Sequence, residues 1–250
     1  MIDTHAHLHL IRQPLPQILS AAKKAGVTHI IQVAIDVPSI EENIRHYNQY
    51  SEISITGGIH PLSVTSDLNI NETMASIEQH LNQFVAIGEA GLDYKYGREH
   101  ADLQKDWFYA QLDLAQRCDK PIVIHSRHAD EDMLAIVNQF PNVKKVFHCY
   151  ATNLAFFESL RGDQNYASFT GMITFSRKGK LANAVRNIPL SKLMIETDAP
   201  YLLPKGVQAD QNAPEFVGRI AAHIASLREI TTAEVVNQCN ETAKLFFGLK

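Results

Sequence analysis

The sequence has no stretch approaching the roughly 18 consecutive apolar residues that span a bilayer. Its first residues also lack the basic and apolar regions of a secretory signal. Cysteine is scarce: Cys118, Cys149 and Cys239 are scattered with no CxxC pair, so neither a disulfide framework nor a thiolate zinc cluster is suggested. Basic charge is short too, with 23 Lys and Arg against 27 Asp and Glu for a formal net charge of -4. Proteins that coat long nucleic acid are usually basic, because phosphate neutralisation dominates that binding. Any contact with nucleic acid should therefore be local. No glycine-rich phosphate loop follows the first apolar run, which argues against a doubly wound nucleotide-binding sheet. What these absences leave is a cytoplasmic globular chain of 250 residues, 45% hydrophobic and 20% charged.

What is present is a repeating pattern, a short apolar run followed by an amphipathic segment. The eight runs are MIDTHAHL (1–8), HIIQVAI (29–35), ISITGGIHP (53–61), FVAIGEAGLD (84–93), PIVIHS (121–126), KVFHCY (145–150), YASFTGMI (166–173) and LMIETDAP (193–200). Several are almost continuously apolar, as parallel strands buried on both faces are. Between them, LQKDWFYAQLDLAQRC puts Leu103, Trp107, Gln111 and Leu114 at three- and four-residue steps, a helix laid against a sheet. Ser39 with Glu42 and Thr231 with Glu234 read as capping boxes, and Gly26 and Gly162 as helix C-termini. Eight strand–helix units in 250 residues predict a single (β/α)8 TIM barrel, one domain over 1–250.

In such a barrel the loops after the strands form the active-site mouth. The reactive side chains fall at that edge: His5 and His7 on the first run, His60 on the third, Glu89 and Asp93 on the fourth. His125 follows on the fifth, His148 on the sixth, and Glu196 and Asp198 on the eighth. Scattered histidines have no reason to choose one edge, so these residues are expected to converge. Two apart on a strand, His5 and His7 face the same way, and their imidazoles suit one metal ion. Asp3 shares that alternation, whereas His9 should run past the strand edge as a polar loop residue. Gly88 and Gly91 flank Glu89 and allow backbone and metal to approach closely. A carboxylate there can bridge two cations, which imidazole cannot readily do. The competing reading, a buried glutamate paired with arginine, is costly. Core histidines are the usual reading at positions like His125 and His148, weakened here by their place on adjacent strands in one layer. Asp198 suits a ligand that also holds or deprotonates a water whose pKa the cation lowers. Glu196 reads as structural. His46, His80, His100 and His223 read as surface residues, His128 as a rim residue, and His29 as lying at the wrong end of its strand.

DTHAHL, GIHP, GEAGLDY, IHSR, FHC, GMITF and ETDAPYL occur from Met1 to Phe247 in an order and spacing that resemble the TatD-type metal-dependent deoxyribonuclease family. That family belongs to the amidohydrolase superfamily of metal-binding (β/α)8 barrels. The resemblance implies two divalent metal ions. His5, His7, Glu89 and Asp198 would hold the first, and Glu89, His125 and His148 the second, with Glu89 as the bridge. It also implies that His60 and Arg127 contact a substrate phosphate and that Asp198 and Glu89 are the catalytic carboxylates. Mixed imidazole and carboxylate ligands accept zinc, manganese, cobalt or nickel, and a more watery carboxylate site accepts magnesium. Superfamily relatives that bridge their metals with a carboxylated lysine after strand four are disfavoured by Glu89 at that position. Two rim segments depart from the family pattern. YATN at 150–153 lacks the usual glycine, and QNAP at 211–214 has Gln211 and Ala213 in place of charged residues.

The activity implied is hydrolysis of DNA phosphodiester bonds, exonuclease-like on single strands, with a water activated by two metals. DNA ends or short oligonucleotides are the expected partners, with no membrane and no obligate protein partner readable. The altered rim keeps a second reading open, a metal-dependent esterase, lactonase or deacylase for a small molecule or an aminoacyl end. A third, a catalytically silent metal-binding scaffold, is opposed by the intact Asp198.

Overall fold

The computed structural model describes residues 1–175 and 177–250. Eight strands lie in one sheet in chain order: β1 (Ile2–Ala6), β2 (His29–Gln32), β3 (Ile53–Gly57), β4 (Phe84–Asp93), β5 (Ile122–Arg127), β6 (Lys145–Phe147), β7 (Asn165–Phe169) and β8 (Leu193–Ile195). Helices alternate with them: α1 (Leu15–Lys24), α2 (Val37–Glu42), α3 (Ile70–Gln79), α4 (Ala101–Arg117), α5 (Asp130–Val137), α6 (Leu154–Glu158) and α7 (Lys180–Asn187). After β8 come α8 (Val217–Arg228) and α9 (Thr232–Phe247). The strands pair in parallel, and the architecture is the (β/α)8 barrel that the repeating runs predict.

Most strands are shorter than the apolar runs that announced them. His7, His60, His148 and Asp198 lie just past the ends of β1, β3, β6 and β8, while Glu89, Asp93 and His125 lie inside β4 and β5. The backbone beyond the strand ends stays tied even so. Asp198 N–H donates to His5 O at 2.9 Å and His7 N–H to Ala199 O at 2.8 Å, which carries the β1–β8 pairing outward. His148 N–H does the same on Ile124 O at 3.0 Å.

The chain gathers into two compact units. The first holds Met1–Gln32, Cys149–Phe157 and Ala167–Lys250, and the second holds Val33–His148 and Glu158–Tyr166. In the first, Leu193, Met194 and Ile195 of β8 are completely buried, together with Val217, Ile220 and Ile224 of α8. In the second, Ile122 and Ile124 of β5 are completely buried, as are Phe108 and Leu112 of α4.

The helix ends follow the sequence in part. The Thr231–Glu234 box forms: Thr231 Oγ1 accepts Glu234 N–H at 3.2 Å, and Glu234 Oε2 accepts Thr231 N–H at 2.8 Å. The Ser39–Glu42 box does not. Asp36 caps α2, its Oδ1 accepting Ser39 N–H at 2.8 Å, and Ser39 Oγ accepts Asp36 N–H in return at 2.9 Å. An aspartate caps as well as a serine, and Pro38 is tolerated inside the first turn, so the helix starts three residues earlier than the serine suggests. Gly26 follows Ala25, the C-cap of α1, at φ +84, but Gly162 lies beyond α6, in the approach to β7.

Candidate metal centre

In the first unit, His5 is fully buried and His7 nearly so, with their Nε2 atoms 3.2 Å apart. Asp198 Oδ1 lies 3.7 Å from His5 Nε2 and 3.5 Å from His7 Nε2. Asp198 has φ +56, a left-handed conformation that a short polar residue adopts more readily than a branched one. Its turn is secured from below. Asn212, fully buried, donates from Nδ2 to Thr197 O at 2.8 Å and to Tyr201 O at 2.7 Å. Asp3 accepts the Thr197 hydroxyl at 2.6 Å and the Thr197 N–H at 2.8 Å. Burial pushes the Asp3 carboxyl up to about 8 against those hydrogen bonds. Glu196 Oε1 accepts Cys149 N–H at 2.6 Å. His9 lies past the strand, its Nδ1 2.8 Å from Gln32 Nε2.

In the second unit everything turns on Glu89, which is 2% exposed. Its Oε1 lies 2.8 Å from His125 Nδ1, 2.9 Å from His148 Nε2 and 3.6 Å from His60 Nε2. These contacts gather three histidines around one carboxylate oxygen. One ligand atom from each of His60, Glu89 and His125 falls within 4.8 Å of the others. Gly88 and Gly91 do bring backbone close, but the neighbour is β5. A Cβ on Gly91 would stand 1.9 Å from His125 O, and one on Gly88 would stand 2.6 Å from Val123 O.

Asp93 orients this cluster, a role the sequence did not reveal. Its Oδ2 accepts from His125 Nε2 at 3.2 Å and so turns Nδ1 toward Glu89 Oε1, and against burial these two carboxylates raise the His125 pKa. Its Oδ1 accepts the N–H groups of Lys95 and Tyr96 at 2.9 and 3.0 Å. Burial alone would raise the Asp93 carboxyl, but the bonds from His125 and these amides outweigh it and hold it below the ordinary range. His60 is set differently. Leu62 N–H donates to its Nδ1 at 3.1 Å, so in the neutral ring the proton sits on Nε2. Arg127, at the end of β5, is exposed, with its guanidinium carbon 4.8 Å from the Tyr96 ring centroid.

Two amides of α4 brace the loops that carry these groups. Gln111 accepts Ile59 N–H at 2.8 Å and donates to Ile59 O at 3.0 Å, beside His60. Gln104 accepts Asp93 N–H at 2.8 Å and donates to Gly97 O at 2.9 Å. Leu103, expected on the buried face, is half-buried, and Gln104 takes the buried place. A buried glutamine on an otherwise apolar face is the available sequence signal for such a brace. Among the remaining histidines, His46, His100 and His128 are exposed, and His29, His80 and His223 are half-buried.

Both clusters fit divalent cations in donor type and spacing. Nitrogens each about 2.1 Å from a tetrahedral ion stand roughly 3.4 Å apart. The His5–His7 separation is 3.2 Å and that of His125 Nδ1 from His148 Nε2 is 3.3 Å, each pair beside a carboxylate. The TatD related DNase family model matches residues 2–248. The chain belongs to the TatD family. This TatD protein is 34% identical to the metal-dependent hydrolase YabD of Bacillus subtilis, over all of this chain and 99% of that one. It is 28% identical to the 3'-5' ssDNA/RNA exonuclease TatD of Klebsiella pneumoniae, over 93% of this chain and 91% of that one. Its fold matches the crystal structure of the TatD homologue YjjV from Escherichia coli with a TM-score of 0.89 at 26% identity, covering all of this chain and 98% of that one. It is a metal-dependent hydrolase, with residue clusters that can bind metal.

Proposed function

We propose that this TatD protein is a deoxyribonuclease that cleaves phosphodiester bonds at the ends of single-stranded DNA, using divalent ions held by these residues. In this reading His5, His7, Glu89 and Asp198 hold one divalent ion, and Glu89, His125 and His148 hold the other. The observation that carries it is Glu89 Oε1 with the imidazole nitrogens of His125 and His148 at 2.8 and 2.9 Å, since a carboxylate so placed can serve two cations. The name of the Klebsiella relative supports the choice of substrate. The bound ions would supply Lewis acidity, offsetting phosphate charge and lowering the pKa of water.

The chain's own groups divide the remaining work. Asp198 holds the attacking water and takes its proton at the carboxylate. His60 donates from Nε2 to a phosphate oxygen, because its Nδ1 is already engaged by the Leu62 amide. Arg127 adds positive charge at the rim. The net charge of -4 suits a short end-binding site better than a long duplex track.

Replacing Glu89 with Ala tests the site. Cleavage of an end-labelled oligonucleotide in manganese, zinc or magnesium should fall on the order of 100-fold or more, with circular dichroism unchanged; undiminished cleavage refutes the assignment. The small-ester reading retains one observation in its favour, Gln211 and Ala213 where the family pattern carries charge. Faster turnover of a panel of carboxylic esters and lactones than of oligonucleotides, by the same metal-loaded protein, would replace the nuclease reading with that one.

A further inference from the structure

Leu62 and Tyr96 are the large apolar side chains of the second unit that stay exposed among the described residues, at 46% and 58%. They are neighbours. A Cβ on Gly97 would touch Leu62 Cδ2 at 2.9 Å, so Leu62 packs beside the residue that follows Tyr96. Both belong to loops that carry site residues: Leu62 follows His60, and Tyr96 follows Asp93. Aromatic exposure is usually a feature of loose surface loops, but the backbone here is held. Asp93 Oδ1 accepts the Tyr96 and Lys95 amides, Gln104 grips Asp93 and Gly97, and Gly97 N–H donates to Asp93 O at 3.2 Å. An exposed ring on a braced loop is preorganised for a flat ligand.

Two cations lie over the ring, and its large exposure leaves ring surface beside them. The Arg127 guanidinium lies 4.8 Å from its centroid and Lys95 Nζ lies 5.2 Å from it. Among the described residues neither cation has a carboxylate partner, so both charges are available to an anion. Asp132 accepts the Tyr94 hydroxyl at 2.6 Å, and Asp102 pairs with Lys105 at 2.7 Å. In the β4–β5 register Asp93 is opposite Arg127 and Gly91 is opposite His125. Arg127 is therefore two residues beyond His125, about 6–7 Å along the strand, comparable to the span of one nucleotide.

We propose that Tyr96 is the stacking platform for the nucleobase at the cleaved end of the substrate, with Arg127 and Lys95 holding that nucleotide's phosphate. This rests on the deoxyribonuclease reading and narrows it. The enzyme takes ends whose base is unstacked and free to lie on the ring, and it selects little among bases, since each has a π-face. A lactone or simple ester has no base to stack.

Kinetics on oligonucleotides with either a natural residue or an abasic tetrahydrofuran residue at the cleaved end test it. On the natural end, Tyr96→Ala should raise KM roughly tenfold or more with kcat little changed, and Tyr96→Phe should restore KM. On the abasic end, wild type and Tyr96→Ala should have the same KM. In EDTA, a terminal 2-aminopurine should lose emission on binding wild type and Tyr96→Phe but not Tyr96→Ala. Equal KM for wild type and Tyr96→Ala on the natural end, or an equal rise on both ends, overturns the stacking role while the nuclease reading stands. If wild type cleaves neither oligonucleotide, the nuclease reading fails and the platform falls with it.

Discussion

Asp93 shows how a residue outside the proposed ligand set can control one of its members. It holds His125 Nε2 at 3.2 Å and so decides which ring nitrogen faces Glu89. Metal-ligating histidines commonly depend on such a carboxylate for ring orientation and basicity. Asp93→Asn keeps the shape but sets an amide N–H against the His125 Nε2–H, which favours the tautomer with its proton on Nδ1. We expect zinc or manganese affinity to fall about 10- to 100-fold, measured by titration calorimetry, with the melting temperature of the metal-free protein nearly unchanged. Unchanged affinity would reduce Asp93 to a loop brace. The histidines themselves were legible as a set because their spacing placed them at strand ends. Asp93 was legible by position only, since the sequence does not say that its carboxylate meets a ring 32 residues away.

At the scale of the element, α4 does more than cover the sheet. Trp107, Phe108 and Leu112 are buried as a helix laid on strands requires, but Gln104 and Gln111 on the same buried surface reach into the loops after β4 and β3. Gln111→Leu would leave the N–H and C=O of Ile59 without their partner. Each unmet buried backbone group costs about 1–3 kcal/mol, so urea unfolding should show a loss on the order of 2 kcal/mol or more. kcat should also fall as the His60 loop loosens. A variant as stable as wild type would mean that the loop recovers those bonds locally. The start of α2 illustrates the limits of local patterns. Asp36 and Ser39 are both good capping residues three apart, and only the extended backbone at Asp36, with φ -158 and ψ 175, decides which one caps.

For the whole molecule, the buried Lys145 makes stability depend on pH. Its side chain is fully buried, with Nζ 2.7 Å from Phe140 O and Val143 O, and burial brings its pKa down from 10.5 to about 8. The folded state therefore releases this proton near pH 8, while the unfolded chain keeps it to about 10.5. Between those values the unfolded state binds more protons, so unfolding free energy rises with pH across that window. The penalty of the buried charge is present below pH 8 and relieved above it. Wild type should gain on Lys145→Met by up to about 3 kcal/mol between pH 8 and 10.5, read by chemical denaturation at each pH; a constant difference would count against the depressed pKa. Metal gives a second global readout. At about 100 times Kd, an ion bound only by the folded state adds about 2.7 kcal/mol. That should raise the melting temperature roughly 5–10 °C for a chain of this size, reversibly with EDTA. No shift with any divalent ion tried would contradict the donor sets at His5, His7 and Glu89.

The strands, their order and the edge where reactive residues gather were determined by the sequence itself. Apolar runs and two-residue alternation are local properties, and short strand–helix connections leave a parallel sheet few other topologies. His5, His7, Glu89, His125, His148 and Asp198 could be picked out for that reason. Tertiary structure alone decided how they are held. Gln111 meets Ile59 across 52 residues, and Asp3 meets Thr197 across 194. It also decided that Tyr96 stays exposed beside Arg127 while its backbone is pinned. Hydrogen bonds and ring contacts of this kind depend on distance in space, which the order of residues along the chain does not encode.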